Sequence, residues 1–475
     1  MKKRKLRMTK SAYEKLRVHL FPGDKLEAVA FALCGSIETE FEQVFTVHAV
    51  HVYPNEKCTV RKGDRVEWSP AQVVHLLDIC RKKGLHLLKV HSHPEHWPFF
   101  SEVDDHSDLQ LSDTLTGWVG RNDNFCSVVM LPDGSMIGRV IEESGNMIFL
   151  HSITVIGDDI LIYIDHDLTN KQRSNGIDAE VQLRTRQAFG EGTTEKLKAL
   201  KIGVVGCSGT GSIVAELLHR LGVGELVLVD HDKVEDKNVN RILNSTLDDA
   251  RTKRYKVHVM KEAFEQTGIS TRVTAIATTL HDEEAYQLIA ACDMVFGCMD
   301  TVDGRHLLNR IATYFCSAYF DIGIRLDADG KGGINEILGR IDYIQPGGSS
   351  LLTRGRYTLE QLKAADMART NPEEYSRQLK EGYIKSAKVQ SPAVISINML
   401  FSSHTVTELL ARLHPFRDDN NARYAAVTYS VSGFLLLREK DGEPDAELLR
   451  KVGLGHKTPA LDAPMLITTQ KSVDA

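Results

Sequence analysis

Apolar residues recur at helical spacing over residues 10–20 and 70–83, and gather into short, nearly continuous runs over 28–34, 44–53 and 85–91. The first pattern predicts helices with one buried face, the second strands buried on both faces. Two further runs, 126–131 and 136–141, flank Pro132-Asp133-Gly134 and predict a hairpin, and 153–164 reads as another strand pair. Helices and strands therefore mix without regular alternation through about residue 150, which predicts an α+β domain. From residue 197 the order changes to strand (201–205), helix (212–221) and strand (225–230), with further strands at 273–277 and 294–297. That alternation predicts a doubly wound α/β domain built on a largely parallel sheet. The polar stretch 166–178 reads as a linker, and the chain beyond 466 carries no structure signal.

A chain of 475 residues is too long for one core. The pattern divides it into a domain at 1–160, a linker at 161–180, a second domain at 181–440 and an extension at 441–475 whose tail is expected to be disordered. With 58 Lys and Arg against 64 Asp and Glu, the formal net charge is −6, which argues against nucleic acid as a partner. The basic start is followed by no apolar run, and no stretch of eighteen apolar residues occurs, so no signal peptide or membrane span is expected. The expected location is the cytoplasm. Eight cysteines lie scattered without a Cys-x-x-Cys pair, which fits reduced, buried thiols rather than a disulfide framework or a cysteine-ligated zinc.

Against this background one segment is chemically dense: His91-Ser-His93-Pro-Glu-His-Trp-Pro-Phe-Phe-Ser101-Glu-Val-Asp104. Two histidines one residue apart at a strand end point to the same side, so His91 and His93 can chelate one ion. Asp104 can return as a third ligand through a turn stiffened by prolines and aromatics, leaving a fourth position for water, the arrangement of a catalytic zinc. A general base is then required, and Glu27, upstream at the start of a strand, is the candidate, with Glu38, Glu40 and Glu42 as alternatives. Ser101 can donate a hydrogen bond to a developing oxyanion. His96, Asp105 and His106 are read as solvated neighbours.

This constellation resembles the JAMM (JAB/MPN) metalloprotease family, whose pattern is an upstream Glu followed by His-x-His-x(7)-Ser-x-x-Asp. The resemblance implies zinc at His91, His93 and Asp104, acid/base work at Glu27 and oxyanion support at Ser101. It also implies cleavage of peptide or isopeptide bonds after the C-terminal glycine of a ubiquitin-like protein.

The second domain opens on Gly206-Cys-Ser-Gly209-Thr-Gly211, a strand-to-helix turn whose backbone amides can approach phosphate without Cβ obstruction. The next strand ends at Asp230, where a carboxylate can bind ribose hydroxyls. The segment Asp230-His-Asp232 through Asn238-Val-Asn-Arg241, together with Arg254-Tyr-Lys256 and Asp300-x(4)-Arg305-x(3)-Asn309, resembles the adenylating signature of the ThiF/MoeB and ubiquitin-activating family. The resemblance implies ATP and magnesium as cofactors. Asp230 is then expected to hold ribose, Asn238, Arg241 and Lys256 (or Lys253) to contact phosphates, Asp300 to hold magnesium, and Asp232 to belong to the same nucleotide set. Leu183-Arg184-Thr-Arg186 resembles the arginine segment that reaches ATP across a dimer interface, which implies a homodimer. The likeness extends through Asp321-Ile-Gly323, 339–347 and 392–398.

The pattern departs at one place. Bacterial members of that family usually carry Cys-x-x-Cys just after the Pro-Gly matching Pro346-Gly347, and thioester-forming members keep a cysteine in the crossover loop beyond. Here the loop reads Gly348-Ser349-Ser350-Leu-Leu-Thr353, and no cysteine occurs after Cys316. Three routes stay open: an adenylate passed on directly, an oxyester on Ser349, Ser350, Thr353, Ser386 or Ser391, or use of Cys207 or Cys298. The combined expectation is a bifunctional enzyme that adenylates and processes a ubiquitin-like protein ending in glycine, with a separate conjugating protein as a further candidate partner. Sulfur-carrier activation, a catalytically degenerate scaffold and an adenylating enzyme of peptide-toxin maturation are the rivals.

Overall fold

The computed structural model describes residues 2–119, 125–165, 180–381, 392–458 and 460–462. The linker expected at 166–178, Ser386, Ser391 and the tail from 466 lie outside the described residues. The chain forms two compact units: Met1–Arg173 with Tyr314–Cys316 and Arg450–Thr458, and Ser174–Thr313 with Ser317–Leu449 and Pro459–Ala475. Segment 450–458, part of the extension in the sequence reading, belongs to the first unit because the Gly35 amide donates to the Gly453 carbonyl at 3.1 Å and the His48 imidazole meets the Val452 carbonyl at 2.7 Å.

The first unit is built on a nine-stranded sheet. Its strands are β1 (Lys3–Thr9), β2 (Val29–Glu38), β3 (Glu42–Val52), β6 (His86–Ser92), β7 (Phe125–Met130), β8 (Met136–Ile141), β9 (Met147–Phe149), β10 (Ser152–Ile156) and β11 (Ile160–Ile164), with β4 (Val60–Arg61) and β5 (Val66–Glu67) as a separate pair. The order is β11-β10-β1-β3-β2-β6-β7-β8-β9. Alternation along β2 feeds both faces: Ala30, Ala32 and Cys34 join helix α1 (Lys10–Leu20) in one cluster, while Val29, Phe31 and Leu33 join α2 (Val74–Lys83) and α3 (Glu102–Val119) in the other.

Two elements escaped the hydrophobic pattern. Strand β1 is buried although it reads Lys-Arg-Lys-Leu-Arg, because its charges find partners: Lys5 pairs with Glu42 at 3.4 Å and Arg4 with Glu142 at 2.9 Å. Helix α3 hides behind its acids, since Asp108 is wholly buried between Lys89 and Arg139 where an apolar residue would ordinarily sit.

The second unit carries an eight-stranded sheet of β12 (Lys201–Val205), β13 (Glu225–Val229), β14 (Arg272–Ile276), β15 (Met294–Gly297), β16 (Ala318–Ala328), β17 (Ile334–Ile344), β18 (Ala426–Ser430) and β19 (Leu435–Glu439), in the order β14-β13-β12-β15-β16-β17-β18-β19. The pairings from β14 to β16 are parallel and those from β16 to β19 antiparallel. Its helices are α4 (Leu183–Ala199), α5 (Gly211–Arg220), α6 (Leu247–Arg251), α7 (Lys256–Gln266), α8 (Glu283–Ala290), α9 (Val302–Tyr314), α10 (Leu359–Thr370), α11 (Pro372–Lys380), α12 (Ile395–Leu413) and α13 (Ala446–Leu449). The strand order reverses between β12 and β15, and a crevice at such a switch point, outside the carboxyl ends of the strands, is where doubly wound sheets bind ligands. The mixed α+β and doubly wound α/β architectures are those the sequence predicts.

Candidate functional site

In the first unit, sheet register assembles the candidate metal centre. Val29 of β2 lies opposite His91 of β6, and the Ser92 amide donates to the Ala28 carbonyl, so continuing the pairing brings Glu27 beside His93. The His93 amide in turn donates to the Met130 carbonyl at 3.0 Å, fixing the strand end. Asp104 arrives from the first turn of α3, where Ser101 and Asp104 cap reciprocally: the Ser101 amide and hydroxyl donate to Asp104 Oδ2 at 2.8 and 2.7 Å, and the Asp104 amide donates to Ser101 Oγ at 3.2 Å. Arg139 anchors this helix from β8, donating to Asp105 and Asp108 and lying 3.8 Å above the Phe100 ring.

The donors converge. His91 Nε2 lies 3.1 Å from His93 Nε2 and 2.8 Å from Asp104 Oδ1, and His93 Nε2 lies 3.5 Å from Asp104 Oδ2. His93 Nδ1 is held by the Trp97 carbonyl at 2.9 Å, which turns Nε2 towards His91 and Asp104. Tetrahedral donors about 2.0–2.2 Å from zinc sit a little over 3 Å apart, so this set fits the ion. Glu27 Oε1 stands 3.9 Å from His93 Nε2, outside the ligand set but beside it.

Electrostatics match the geometry. Burial pushes the Glu27 carboxyl up to about 8, against the pull of His93. Asp104 is also buried, yet the hydrogen bonds from His91 and His93 outweigh that and hold it far below the usual carboxylate range. Burial lowers His91; at His93 burial is overcome by Asp104 and the Trp97 carbonyl, and the ring rises. Glu38, Glu40 and Glu42 play no part: Glu42 pairs with Lys5, and Glu38 with Lys2, at the far end of β2 and β3. Asp105 is held by Arg139, and His106 meets Gln110 at 2.9 Å.

In the second unit, the glycine turn closes β12 at the switch point. Gly206 adopts φ +87°, and a Cβ on Gly211 would lie 1.8 Å from the Gly206 carbonyl oxygen. Gly209 packs under Asn398 of α12, whose amide nitrogen would be 2.3 Å from an added Cβ, and beside the Arg241 side chain. Asp230 braces the turn, accepting from the Cys207 amide at 2.6 Å and the Asp232 amide at 2.8 Å. Lys256 is buried and reaches Asp232 at 2.7 Å; Asn238 is buried in a capping box with Glu235. Arg241 bonds the Lys237 carbonyl at 2.6 Å, and Asp300 is exposed just beyond β15. The exposed carboxylate of Asp300 at this crevice suits a hydrated divalent cation such as magnesium. Arg184 is exposed on α4, bonding Gln187 at 3.0 Å, and Arg186 on the same helix is half-buried.

The crossover loop after β17 is locked. Ser349 donates to Asp441 and accepts from Arg354 Nε, Ser350 donates to Asp445 at 2.6 Å, and both serines are buried. Thr353 is exposed, its hydroxyl donating to the Ser350 carbonyl. Burial drives the thiols of Cys207 and Cys298 well above their ordinary value.

Residues 9–136 match the family model described as prokaryotic homologs of the JAB domain, and residues 181–328 match the ThiF family. The chain joins a JAB-type domain to a ThiF-family domain. A stretch of 167 residues is 29% identical to ubiquitin-like modifier-activating enzyme 5 of Culex quinquefasciatus, covering 32% of this chain and 39% of that protein. A stretch of 117 residues is 37% identical to molybdopterin-synthase adenylyltransferase of Haemophilus influenzae, covering 24% of this chain and 47% of that one. The chain thus spans less than half the length of these curated relatives. Among solved structures, E. coli MccB with ATP aligns at 17% identity and a TM-score of 0.39, over 54% of this chain and 67% of that one. PaaA aligns at 17% and 0.40, over 57% and 84%. Among the described residues, no helix is long and apolar enough to cross a membrane.

Sequence reasoning missed the supports of the candidate metal centre: Asp108 on α3, its partners Lys89 and Arg139, and the Trp97 carbonyl on His93. Nothing in their spacing marks them. Asn398 lay within a segment of family likeness, but only the packing puts it on Gly209.

Proposed function

We propose that the ThiF-family domain adenylates the C-terminal glycine of a ubiquitin-like protein and that the JAB-type domain hydrolyses peptide or isopeptide bonds after that glycine, as a homodimer in the cytoplasm. The observation that carries this reading is the convergence of His91, His93 and Asp104, with Glu27 beside them, in a chain that also carries a ThiF-type glycine turn.

For adenylation, the glycine carboxylate attacks the α-phosphorus of ATP and pyrophosphate leaves, giving an acyl-adenylate. The repulsion between carboxylate and triphosphate has to be neutralised. Arg241 and Lys256 supply cationic charge, the amides of 206–211 approach the phosphates, Asp230 receives the ribose and Asp232 orients Lys256. Magnesium held at Asp300 would add divalent charge. Arg184 or Arg186 of a partner subunit is the remaining cation, which is the reason for proposing the dimer. For hydrolysis, His91, His93 and Asp104 would hold zinc, which would supply Lewis acidity when bound. Glu27, beside the donors, is placed to take a proton from the attacking water as its oxygen adds to the scissile carbonyl carbon, and to pass that proton to the amine as the C–N bond breaks. Ser101 donates its proton to Asp104 here, so its support of the oxyanion requires rotation about χ1.

The locked serines and neutral thiols favour release of the adenylate to an external acceptor over a covalent intermediate on this chain. Sulfur-carrier activation is the second reading, favoured by the likeness to a molybdopterin-synthase adenylyltransferase.

The test is intact mass after incubating the chain with ATP, magnesium and ubiquitin-like proteins ending in Gly-Gly. A partner gaining one AMP, with no adduct on this chain, is the expected result. A hydroxylamine-sensitive adduct on this chain would replace the adenylate-only route, and bound ATP without any adduct across the partners would point to a scaffold.

A further inference from the structure

The JAB-type unit holds a second polar cavity, of about 400 Å³, that contains none of the metal donors. Strand β2 separates them: His91 lies opposite Val29 on one side of β2, and His51, which lines the cavity, lies opposite Phe31 on the other. The cavity exists because β1 pairs with β3 only as far as Arg7 with Thr46, leaving the flank of β3 beyond that point uncovered. Lys15 of α1 reaches over this flank and donates to the Val50 carbonyl at 2.7 Å.

Its lining is lopsided in charge. Lys15 from α1, His51 from β3, Lys57 from the short helix Asn55–Lys57 and His75 from the first turn of α2 converge on it, and no carboxylate lines it among the described residues. Lys15, Lys57 and His75 are exposed at the rim. Deeper, His51 Nε2 is buried with no hydrogen-bond partner, its ring 6.4 Å from and edge to face with the His75 ring at the rim. A buried ring nitrogen left without a partner is costly, and a ligand oxygen recovers that cost. The remaining wall is apolar, with Phe31 and Tyr53 almost fully buried. His51 is held below its ordinary value by burial, then by His75, Lys15 and His48, all of them bases, so its surroundings lack an anion.

We propose that this cavity is a binding site for an oxyanion, a carboxylate or phosphate carried on a compact apolar body. The oxyanion bridges His51 Nε2 and the Lys57 and His75 side chains, with Lys15 adding charge; the apolar body lies against Val52 and Pro54. The site is independent of zinc and of ATP, so its failure would leave the proposed hydrolase and adenylating activities standing.

The test is calorimetric titration of the full chain with benzoate, inorganic phosphate and benzamidine, repeated on Lys57→Glu and His75→Ala. Both substitutions are at exposed positions, and unchanged melting temperatures confirm folding. At least one anion is expected to bind, about tenfold more weakly in Lys57→Glu, and benzamidine, the cationic match of benzoate, is expected not to. Benzoate stronger than phosphate would identify a carboxylate source, and the reverse a phosphoryl group. The proposal is overturned if neither anion binds the unchanged chain at about 10 mM, the weak end of specific affinity. Benzamidine binding as well as benzoate, or both variants matching the unchanged chain, would also overturn it.

Discussion

The two candidate sites are built in opposite ways. The metal centre is buried and local: three donors come from fourteen consecutive residues, and their atoms already lie within 4.8 Å of one another. The candidate nucleotide site is dispersed and only partly open: its turn at 206–211, the buried Asp230 and Lys256, Arg241 and the exposed Asp300 are delivered by separate strands and helices. A buried ion needs a rigid, pre-aimed donor set. A triphosphate that must enter and leave needs rigid backbone at its phosphates and side chains free to close around it.

The sharpest way to break this comparison is a double dissociation. His93→Ala removes a donor, so zinc content and cleavage of a C-terminally extended partner are expected to fall by more than the ~10–100-fold typical of losing an outer-shell contact, with adenylation intact. Asp300→Ala is expected to lower adenylate formation by roughly 10²–10³-fold and to leave zinc and cleavage unchanged. Equal loss of both activities in either variant would show that the sites are not separately built.

Backbone rigidity at the candidate nucleotide site is tested by Gly211→Ala. The new Cβ would meet the Gly206 carbonyl at 1.8 Å, and neither partner can yield because both are main chain. Stability is expected to fall by about 1–3 kcal/mol and the ATP-dependent rise in melting temperature to shrink. A variant that binds ATP normally would show the turn to be more pliant than its geometry implies.

A smaller effect sharpens the contrast by pH. His281, buried in the ThiF-family unit 3.5 Å from Asp303, is pushed down to about 4, first by burial and then by Arg369. Below pH 6.5 the unfolded chain binds a proton that the folded chain does not take up until about 4. Its contribution is therefore complete above 6.5 and lost as pH falls from there towards 4, on the order of 1–3 kcal/mol. His281→Gln is expected to flatten the melting-temperature profile in that window, and an unaltered profile would assign the acid sensitivity elsewhere. Smallest is Ser350→Ala, which removes the bond to Asp445. It is expected to cost about 1–2 kcal/mol in stability without changing adenylation, whereas loss of turnover would restore the hydroxyl as a candidate acceptor.

Legibility followed the same division. The ligand set was readable because His-x-His at a strand end and a nearby aspartate are aimed by local geometry alone. Glu27 needed more: sixty-odd positions separate it from the histidines, and only the register of β2 on β6 selects it over Glu38, Glu40 and Glu42. The glycine turn was readable because only glycine tolerates φ +87° and a 1.8 Å approach. The serines at 349 and 350 read as loop residues with an oxyester route open, and only the fold shows their partners Asp441 and Asp445, some ninety residues on.

By itself, then, the sequence determined what local stereochemistry can enforce: the two architectures, the His91–His93–Asp104 donor cluster, the glycine turn and the absence of a loop cysteine. Tertiary structure decided whatever depends on distant charges meeting. It buried the basic strand β1 against Glu42 and Glu142, seated α3 through Asp108 between Lys89 and Arg139, and gathered Lys15, His51, Lys57 and His75 around one cavity. A charged residue reads as solvent-facing in any periodic pattern, and only its partner in space reveals that it is buried.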